Sequence, residues 1–396
     1  MVPKLRFKEF CGEWEEKRLK DYFIKITDKN RDKKIKNVIS NSAKFGLVQQ
    51  EEYFLKDIAN KDNIDTYYII EKNDFVYNPR KSIESPYGPI NIYTLDEKGV
   101  VSPLYSCFRL IKEADHDYYR YFFKADKWYR YIYMVGDSGA RHDRVSIRDA
   151  EFFNMNISVP SLPEQTKIAD FLSTVDDKIQ NQQDKITHLE NIKKGFMQKI
   201  FSRKIRFKDD GGEEFPEWED NILKNYIEII TGYPFDSEKF IEENNNNPII
   251  RIRDLQDNKI SLFTTENYDL KYKVYKGDIL IGMDGDFYIT MWKGIEVGLN
   301  QRIMKIRPKK GLIKNNFLYY LLIPLIKHIN DITPFTTVKH LSSKDILNLK
   351  VKLPCLKEQQ KIADFLSSFD EKIYTEKEVL EHLKQLKKGL LQQMFV

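Results

Sequence analysis

Cysteine is scarce in this 396-residue chain: Cys11, Cys107 and Cys355 are odd in number, scattered, and without metal-type spacing. That argues against a disulfide framework or a zinc site and fits a reducing, cytoplasmic compartment. Histidine is nearly as rare, with six residues and no acidic or cysteine partners at ligand spacing, so no metal is expected. Long apolar runs are missing as well. The longest, residues 317–326, is too short to span a bilayer and carries Pro324, and the opening MVPKLRFKEF lacks the apolar core of a signal peptide. No membrane role is therefore expected.

Catalytic signatures are equally thin. There is no GxxxxGK[ST] to cradle phosphate, no GxGxxG after a strand and no HExxH. YNPRKS at 77–82 resembles the Asn-Pro-Pro-aromatic tetrapeptide of amino-methyltransferases, but Arg80 replaces the second proline and Lys81 the aromatic that would hold a flipped base. GMDGDF at 282–287 offers Asp284 and Asp286 to a metal, although a hairpin turn at Asp-Gly explains them more simply. The chain is expected not to be an enzyme.

What is present is a repeat. KIADFLS occurs at 167–173 and again at 361–367, and a constant offset of 194 extends the match without a gap over 160–201 and 354–395. A shorter match pairs RFKEFCGEWEEKRLKDYF (6–23) with RFKDDGGEEFPEWEDNILKNYI (206–227). The chain is two copies of one unit, each with a leader, a variable region and a repeated tail. The variable regions share an apolar frame: NDFVYN (73–78) parallels GDILIG (277–282), the run 99–110 parallels 298–308, and YYRYFF (118–123) parallels FLYYLL (317–322). The length suits two domains, 41% hydrophobic and 13% aromatic content suits folded ones, and a net charge of +5 is compatible with a nucleic-acid partner without requiring one.

Within the tails, apolar residues recur at steps of three and four, which predicts two long coiled-coil helices. The expected seam is Leu172, Val175, Ile179, Ile186 and Leu189 in one, and Leu366, Phe369, Ile373, Leu380 and Leu383 in the other. Polar residues interrupt it at equivalent places, Gln182 with Glu376 and Lys193 with Lys387, as expected of register-setting positions. Ser161 and Glu164 have capping-box spacing, and Gly195 and Gly389 mark close packing or an early fray. Helices of roughly 33 residues, about 50 Å, paired antiparallel with a variable domain at each end, would make a caliper. Repetition of exposed-type residues in EQxKIADFLS points to a docked partner, with Glu164, Gln165, Lys167, Asp170, Phe171, Glu358, Gln359, Lys361, Asp364 and Phe365 as candidates.

These motifs resemble the DNA-specificity subunits of type I restriction–modification systems: the leader LRFxxF…EWxxxxL, the helix opening PxLxEQxKIAxFL at 160–172 and 354–366, and the closures KKGFMQKIF and KKGLLQQMF. The resemblance covers essentially the whole chain. It implies an α+β, pseudo-twofold tandem repeat of two α/β target-recognition domains separated by two long antiparallel helices. The expected boundaries are 1–158, 159–203, 204–352 and 353–396. It also implies a non-catalytic subunit reading a bipartite, asymmetric site in double-stranded DNA, with the helices setting the gap and docking two adenine-N6 methyltransferase subunits, later joined by motor-endonuclease subunits. S-adenosylmethionine would belong to the methyltransferase, ATP and Mg²⁺ to the motor, and none to this chain. The alternative is a coiled-coil scaffold whose domains bind proteins rather than DNA.

Base readout needs Arg, Lys, Asn, Gln or acidic side chains aimed at base edges. In the first variable region the candidates are Asn78, Arg80, Lys81, Arg141, His142 and Arg144; in the second they are Tyr233, Arg251, Arg253, Asn300, Gln301, Arg302, Thr336, Thr337 and Lys339.

Overall fold

A computed structural model describes residues 1–50, 64–136, 143–242, 247–257, 259–334 and 339–396. The chain divides into two compact units, one built from Met1–Gln183 with Glu378–Val396 and the other from Asp184–Lys377. These units cut across the boundaries expected from sequence, because each takes half of each long helix.

In the first unit the leader strand β1 (Glu15–Arg18) pairs antiparallel with β10 (Asn156–Val159), the strand that precedes the first long helix. Between them lie β2 (Phe23–Lys25), β3 (Val38–Ser42), β4 (Gly46–Gln49), β5 (Tyr68–Ile70), β6 (Phe75–Tyr77), β7 (Ile90–Ile92), β8 (Gly99–Val101) and β9 (Ser106–Leu110). They form two sheets, ordered β2-β9-β6-β7 and β4-β3-β8-β5. Helices α1 (His116–Lys124), α2 (Tyr129–Val135) and α3 (Asp149–Phe153) follow, then α4 (Leu162–Phe201).

The second unit repeats this plan. Strand β11 (Glu219–Ile222) pairs with β21 (Lys350–Leu353). The intervening strands are β12 (Ile227–Thr231), β13 (Phe240–Ile241), β14 (Asn247–Ile250), β15 (Phe263–Thr264), β16 (Lys273–Val274), β17 (Ile279–Gly282), β18 (Ile289–Met291), β19 (Val297–Leu299) and β20 (Ile303–Pro308). Their sheets run β12-β20-β17-β18 and β13-β15-β14-β19-β16. Helices α5 (Asp254–Asp257), α6 (Asn315–Ile332), α7 (Ser343–Leu347) and α8 (Leu356–Met394) complete it. In each unit one parallel pair, β3 with β8 and β14 with β19, sits among antiparallel neighbours. The sequence parallels fall on equivalent elements: β6 with β17, β8–β9 with β19–β20, and α1 with α6.

The frame is kept while its filling changes. The first core is aromatic: Phe23 meets Phe75, Phe108 and Tyr119 edge-on at 5.4, 5.4 and 4.9 Å, and Phe123 closes the cluster. The matching buried positions of the second unit are aliphatic, Ile227, Ile279, Ile306, Leu318 and Leu322. Aromatic rings gain from edge-to-face geometry and aliphatic side chains from close fitting, so both fillings serve one backbone.

The repeated EQ doublet is an internal clamp. Both oxygens of Glu164 accept from Arg6, Oε1 from Nε at 2.7 Å and Oε2 from Nη2 at 2.8 Å, while Trp14 Nε1 donates to Oε1 at 3.2 Å. Gln165 accepts from the backbone N–H of Asp115, the N-cap of α1, at 3.0 Å and donates to Pro160 O at 3.0 Å. The second copy does the same with Glu358, Arg206 and Trp218, and with Gln359, Lys314 N–H and Pro354 O. All four EQ side chains are buried. This corrects their assignment to partner docking: leader, domain helix and long helix use every one of them. Nor is Glu164 spent on a capping box, since its carboxylate faces Arg6 and Trp14. Lys167 lies near Glu9 and over the Phe7 ring, Phe171 stacks edge-on against Phe7 at 5.6 Å, and Lys361 pairs with Asp210 at 2.6 Å. Phe365 is packed among Phe196, Phe207 and Phe369, which removes it as a free docking ring, whereas Asp170 and Asp364 are exposed.

The long helices have 40 and 39 residues, about 60 Å each and longer than expected. Most of the anticipated seam is buried, with Ile179, Phe369 and Leu383 half-buried. In the second unit Lys185 pairs with Glu376 at 2.6 Å and Lys193 with Asp370 at 2.5 Å, so helix order runs antiparallel. The polar seam positions are joints. Tyr320 Oη donates to Asp370 at 2.5 Å, and Lys193 bonds the same carboxylate and lies 5.0 Å over the Tyr320 ring. The first unit repeats the joint with Tyr121, Asp176 and Lys387. Each ties a domain helix to both long helices. Gly195 and Gly389 lie within α4 and α8, and a Cβ built on either meets nothing within 4 Å, so neither packing nor fraying accounts for them.

Glu164→Ala leaves the Arg6 guanidinium facing a void and should cost about 3–5 kcal/mol, measured by urea unfolding; a cost below about 1 kcal/mol would show that the clamp does not hold the unit together. Gly195→Ala and Gly389→Ala should each raise stability by about 1 kcal/mol in the same measurement.

Candidate nucleic-acid interface

Beyond Tyr77 the β6 strand continues as an extended segment. Lys81 N–H donates to Asp143 O at 2.8 Å and Val145 N–H to Pro79 O at 2.9 Å, which sets Arg80 opposite Arg144 in an antiparallel bridge. Two segments that are distant in sequence thus form one short ladder. Asn78 supports it from beneath: its amide donates to Asn41 O at 3.0 Å and its Oδ1 accepts from Arg80 N–H at 3.1 Å. Gly88, at φ +85°, leaves 2.1 Å between its would-be Cβ and Asn78 O, so no side chain fits there.

The ladder walls a cleft of about 450 Å³ that gathers Asn78, Arg80, Lys81 and Arg144. Asn41, Ser42, Lys44, Ser102 and Tyr105 also line it and escaped the sequence reading. Asn41 and Ser102 lie at the carboxyl ends of the parallel pair β3/β8, where Ile39 faces Val101. Only that topology, invisible in composition, brings them to the site. Arg80 has Asp143 at 3.7 Å, and both guanidinium-bearing residues face each other across the ladder. Like charges placed directly opposite destabilise a strand pair, and an arriving acceptor or anion relieves the repulsion. Arg141 and His142 lie outside the described residues.

The second unit builds the same ladder. Leu341 N–H donates to Met283 O at 2.8 Å and Gly285 N–H to Lys339 O at 3.1 Å, setting Asp284 opposite His340. Asp284 bonds His340 Nδ1 at 2.7 Å through Oδ1 and lies 3.2 Å from Arg302 Nη1 through Oδ2. Gly285 has φ +74°, and the Asp284 carboxylate is held by these two neighbours.

Here too the carboxyl ends of the parallel pair face the site, since Arg251 follows Ile250 and Asn300 follows Leu299. Tyr233 bridges Asn300, and Gly232 packs so tightly on the Asn300 backbone that a Cβ would fall 1.9 Å from its carbonyl oxygen. Gln301 N–H donates to Tyr233 O at 3.0 Å, and Tyr233 Oη to Glu266 at 2.9 Å. Arg251 is drawn back onto Asp254 and Ser261, while Arg253 and Arg302 are largely exposed. Lys339 corrects the sequence reading: it is buried and its Nζ donates to Asn330 O at 2.7 Å, so it braces the ladder rather than facing outward. Thr336 and Thr337 lie outside the described residues. Among the described residues, no group of three or more His, Cys, Asp or Glu is placed to hold a metal ion, and no helix is long and apolar enough to cross a membrane.

The profile of the family described as "Type I restriction modification DNA specificity domain" matches residues 12–191 and 216–385. The chain is 34% identical over 170 residues to the type I restriction enzyme EcoBI specificity subunit of Escherichia coli, a stretch covering 43% of this chain and 36% of that one. It is 30% identical over 261 residues to the MjaVIII specificity subunit of Methanocaldococcus jannaschii, covering 61% of each. The matched stretches thus span roughly a third and three fifths of these curated relatives. The fold is that of the S subunit from M. genitalium, with a TM-score of 0.55 at 18% identity, covering 100% of this chain and 99% of that one. A chain from a structure of the type I R-M system gives a TM-score of 0.60 at 16% identity, covering 98% of each. With the family profile falling once on each of the two tandem copies, the chain belongs to the type I restriction modification DNA specificity family.

Proposed function

We propose that this chain is the non-catalytic, DNA-reading subunit of a type I restriction–modification complex, in which each unit reads one half of a bipartite, asymmetric target. The observation that carries this reading is the pair of equivalent ladders. One backbone device occurs twice, held by the same main-chain hydrogen bonds, and bears Arg80 and Arg144 in one unit but Asp284 and His340 in the other. A scaffold duplicated to bind one protein twice has no need of opposite chemistry at matched positions. Two readers of different half-sites do. Direct readout requires donors and acceptors on a fixed backbone, which the ladders provide, and phosphate contacts require exposed cations such as Lys44 and Arg253.

In this reading the long helices fix the unspecified gap, and their outer faces, with Asp170 and Asp364 exposed near the helix starts, receive two adenine-N6 methyltransferase subunits. Motor-endonuclease subunits join that assembly. S-adenosylmethionine then belongs to the methyltransferase, and ATP with Mg²⁺ to the motor.

Replacing residues 24–157 with the corresponding region of another family member should change one half of the methylated motif and leave the other half and the gap intact, as read by methylome sequencing; a change in both halves would contradict the division of labour. Because Asp176–Lys387 and Lys193–Asp370 fix the helix register, lengthening requires insertion in both helices. Four residues at Gln182 together with four at Glu376, about 6 Å, should widen the gap by one or two base pairs with both half-sites unchanged, and altered half-sites at constant gap would refute the spacing role.

A further inference from the structure

The two ladders match position by position, and at one of the two matched positions they oppose each other in hydrogen-bond polarity. Phe75 and Ile279 open the equivalent strands. The bond from Val145 to Pro79 corresponds to that from Leu341 to Met283, and the bond from Lys81 to Asp143 to that from Gly285 to Lys339. Arg80 therefore corresponds to Asp284, and Arg144 to His340. A guanidinium only donates and an ionised carboxylate only accepts.

The carboxylate is the informative one. Against DNA an exposed carboxylate is repelled by every phosphate, so its useful partner is a hydrogen-bond donor on a base. In the major groove those donors are the exocyclic amino groups, N4 of cytosine and N6 of adenine. Asp284 is equipped for such a contact: its side chain is 21% exposed, its orientation is fixed by His340 and Arg302, and Arg302 offsets its charge. Two carboxylate oxygens offer about four acceptor sites, so these two partners leave acceptor capacity free. At the matching position of the first unit, Arg80 and Arg144 present a pair of forked donors, the geometry that suits O6 and N7 of guanine.

We propose that Asp284 accepts a hydrogen bond from the exocyclic amino group of a cytosine or adenine in the half-site of the second unit, while Arg80 with Arg144 reads guanine in the other half-site. This assignment rests on the DNA-reading function proposed above and adds the base class at one position of each half.

The test equilibrates the full-length chain, with its methyltransferase partners bound, with duplexes randomised across the target, and sequences the bound fraction. Asp284→Ala, which removes both acceptor oxygens, should reduce discrimination about tenfold or more at a single base pair of one half-site and leave the other half untouched. Asp284→Glu, which keeps the carboxylate, should retain the wild-type base-pair preference at that position. Arg80→Gln should relax a guanine preference in the opposite half only. Unchanged preferences in Asp284→Ala or uniform weakening across all sequences would each overturn the assignment. A wild-type complex that selects no sequence at all would instead overturn the DNA-reading function itself.

Discussion

In each unit the leader is held to the long helix through one buried carboxylate. Glu164 in the first unit and Glu358 in the second sit at the start of a long helix and are almost wholly shielded from water. A buried charge is tolerable only when its lone pairs are filled, and here an arginine fork and an indole N–H from the leader fill them. The leader is thereby pinned against the helix, its strand pairs with the strand feeding that helix, and the adjacent glutamine catches the first turn of the domain helix. Removing the carboxylate would free the leader's arginine and indole at once. That economy accounts for the repetition of leader and helix opening while the intervening domain varies.

The Tyr–Asp–Lys joints extend the constraint along the helices. Lys193 and Lys387 occupy positions that an apolar seam would fill, and each finds its counter-charge on the opposite helix beneath a tyrosine ring. Polar groups at such positions cost stability and in return define register, since a slip of one turn would strand the charge.

The frame was largely legible in the sequence. The offset of 194, the heptad steps and the short apolar runs identified the tandem plan, the long helices and the equivalent strands, because these depend on local periodicity. Interactions between distant residues were hidden. Lys193 could be recognised as a seam-breaking residue, but its partner Asp370 lies 177 positions away. Glu164 and Gln165 read as surface residues by type and are buried because Arg6, Trp14 and Asp115 converge on them. In the candidate interface, Arg80, Lys81 and Arg144 announced themselves by charge. Asn41 and Ser102 did not, since only the parallel pairing of β3 with β8 delivers them. Lys339 was misassigned because a lone lysine gives no sign that Asn330 will draw it inward.

The ladders are held by main-chain hydrogen bonds, so their outward side chains contribute little to folding. Substitution there can proceed with almost no penalty in stability, in contrast to the clamp or the core. Point mutation at these few exposed positions therefore leaves each variant with an intact scaffold. Among such variants, divergence would concentrate at ladder positions while the buried glutamates stay fixed.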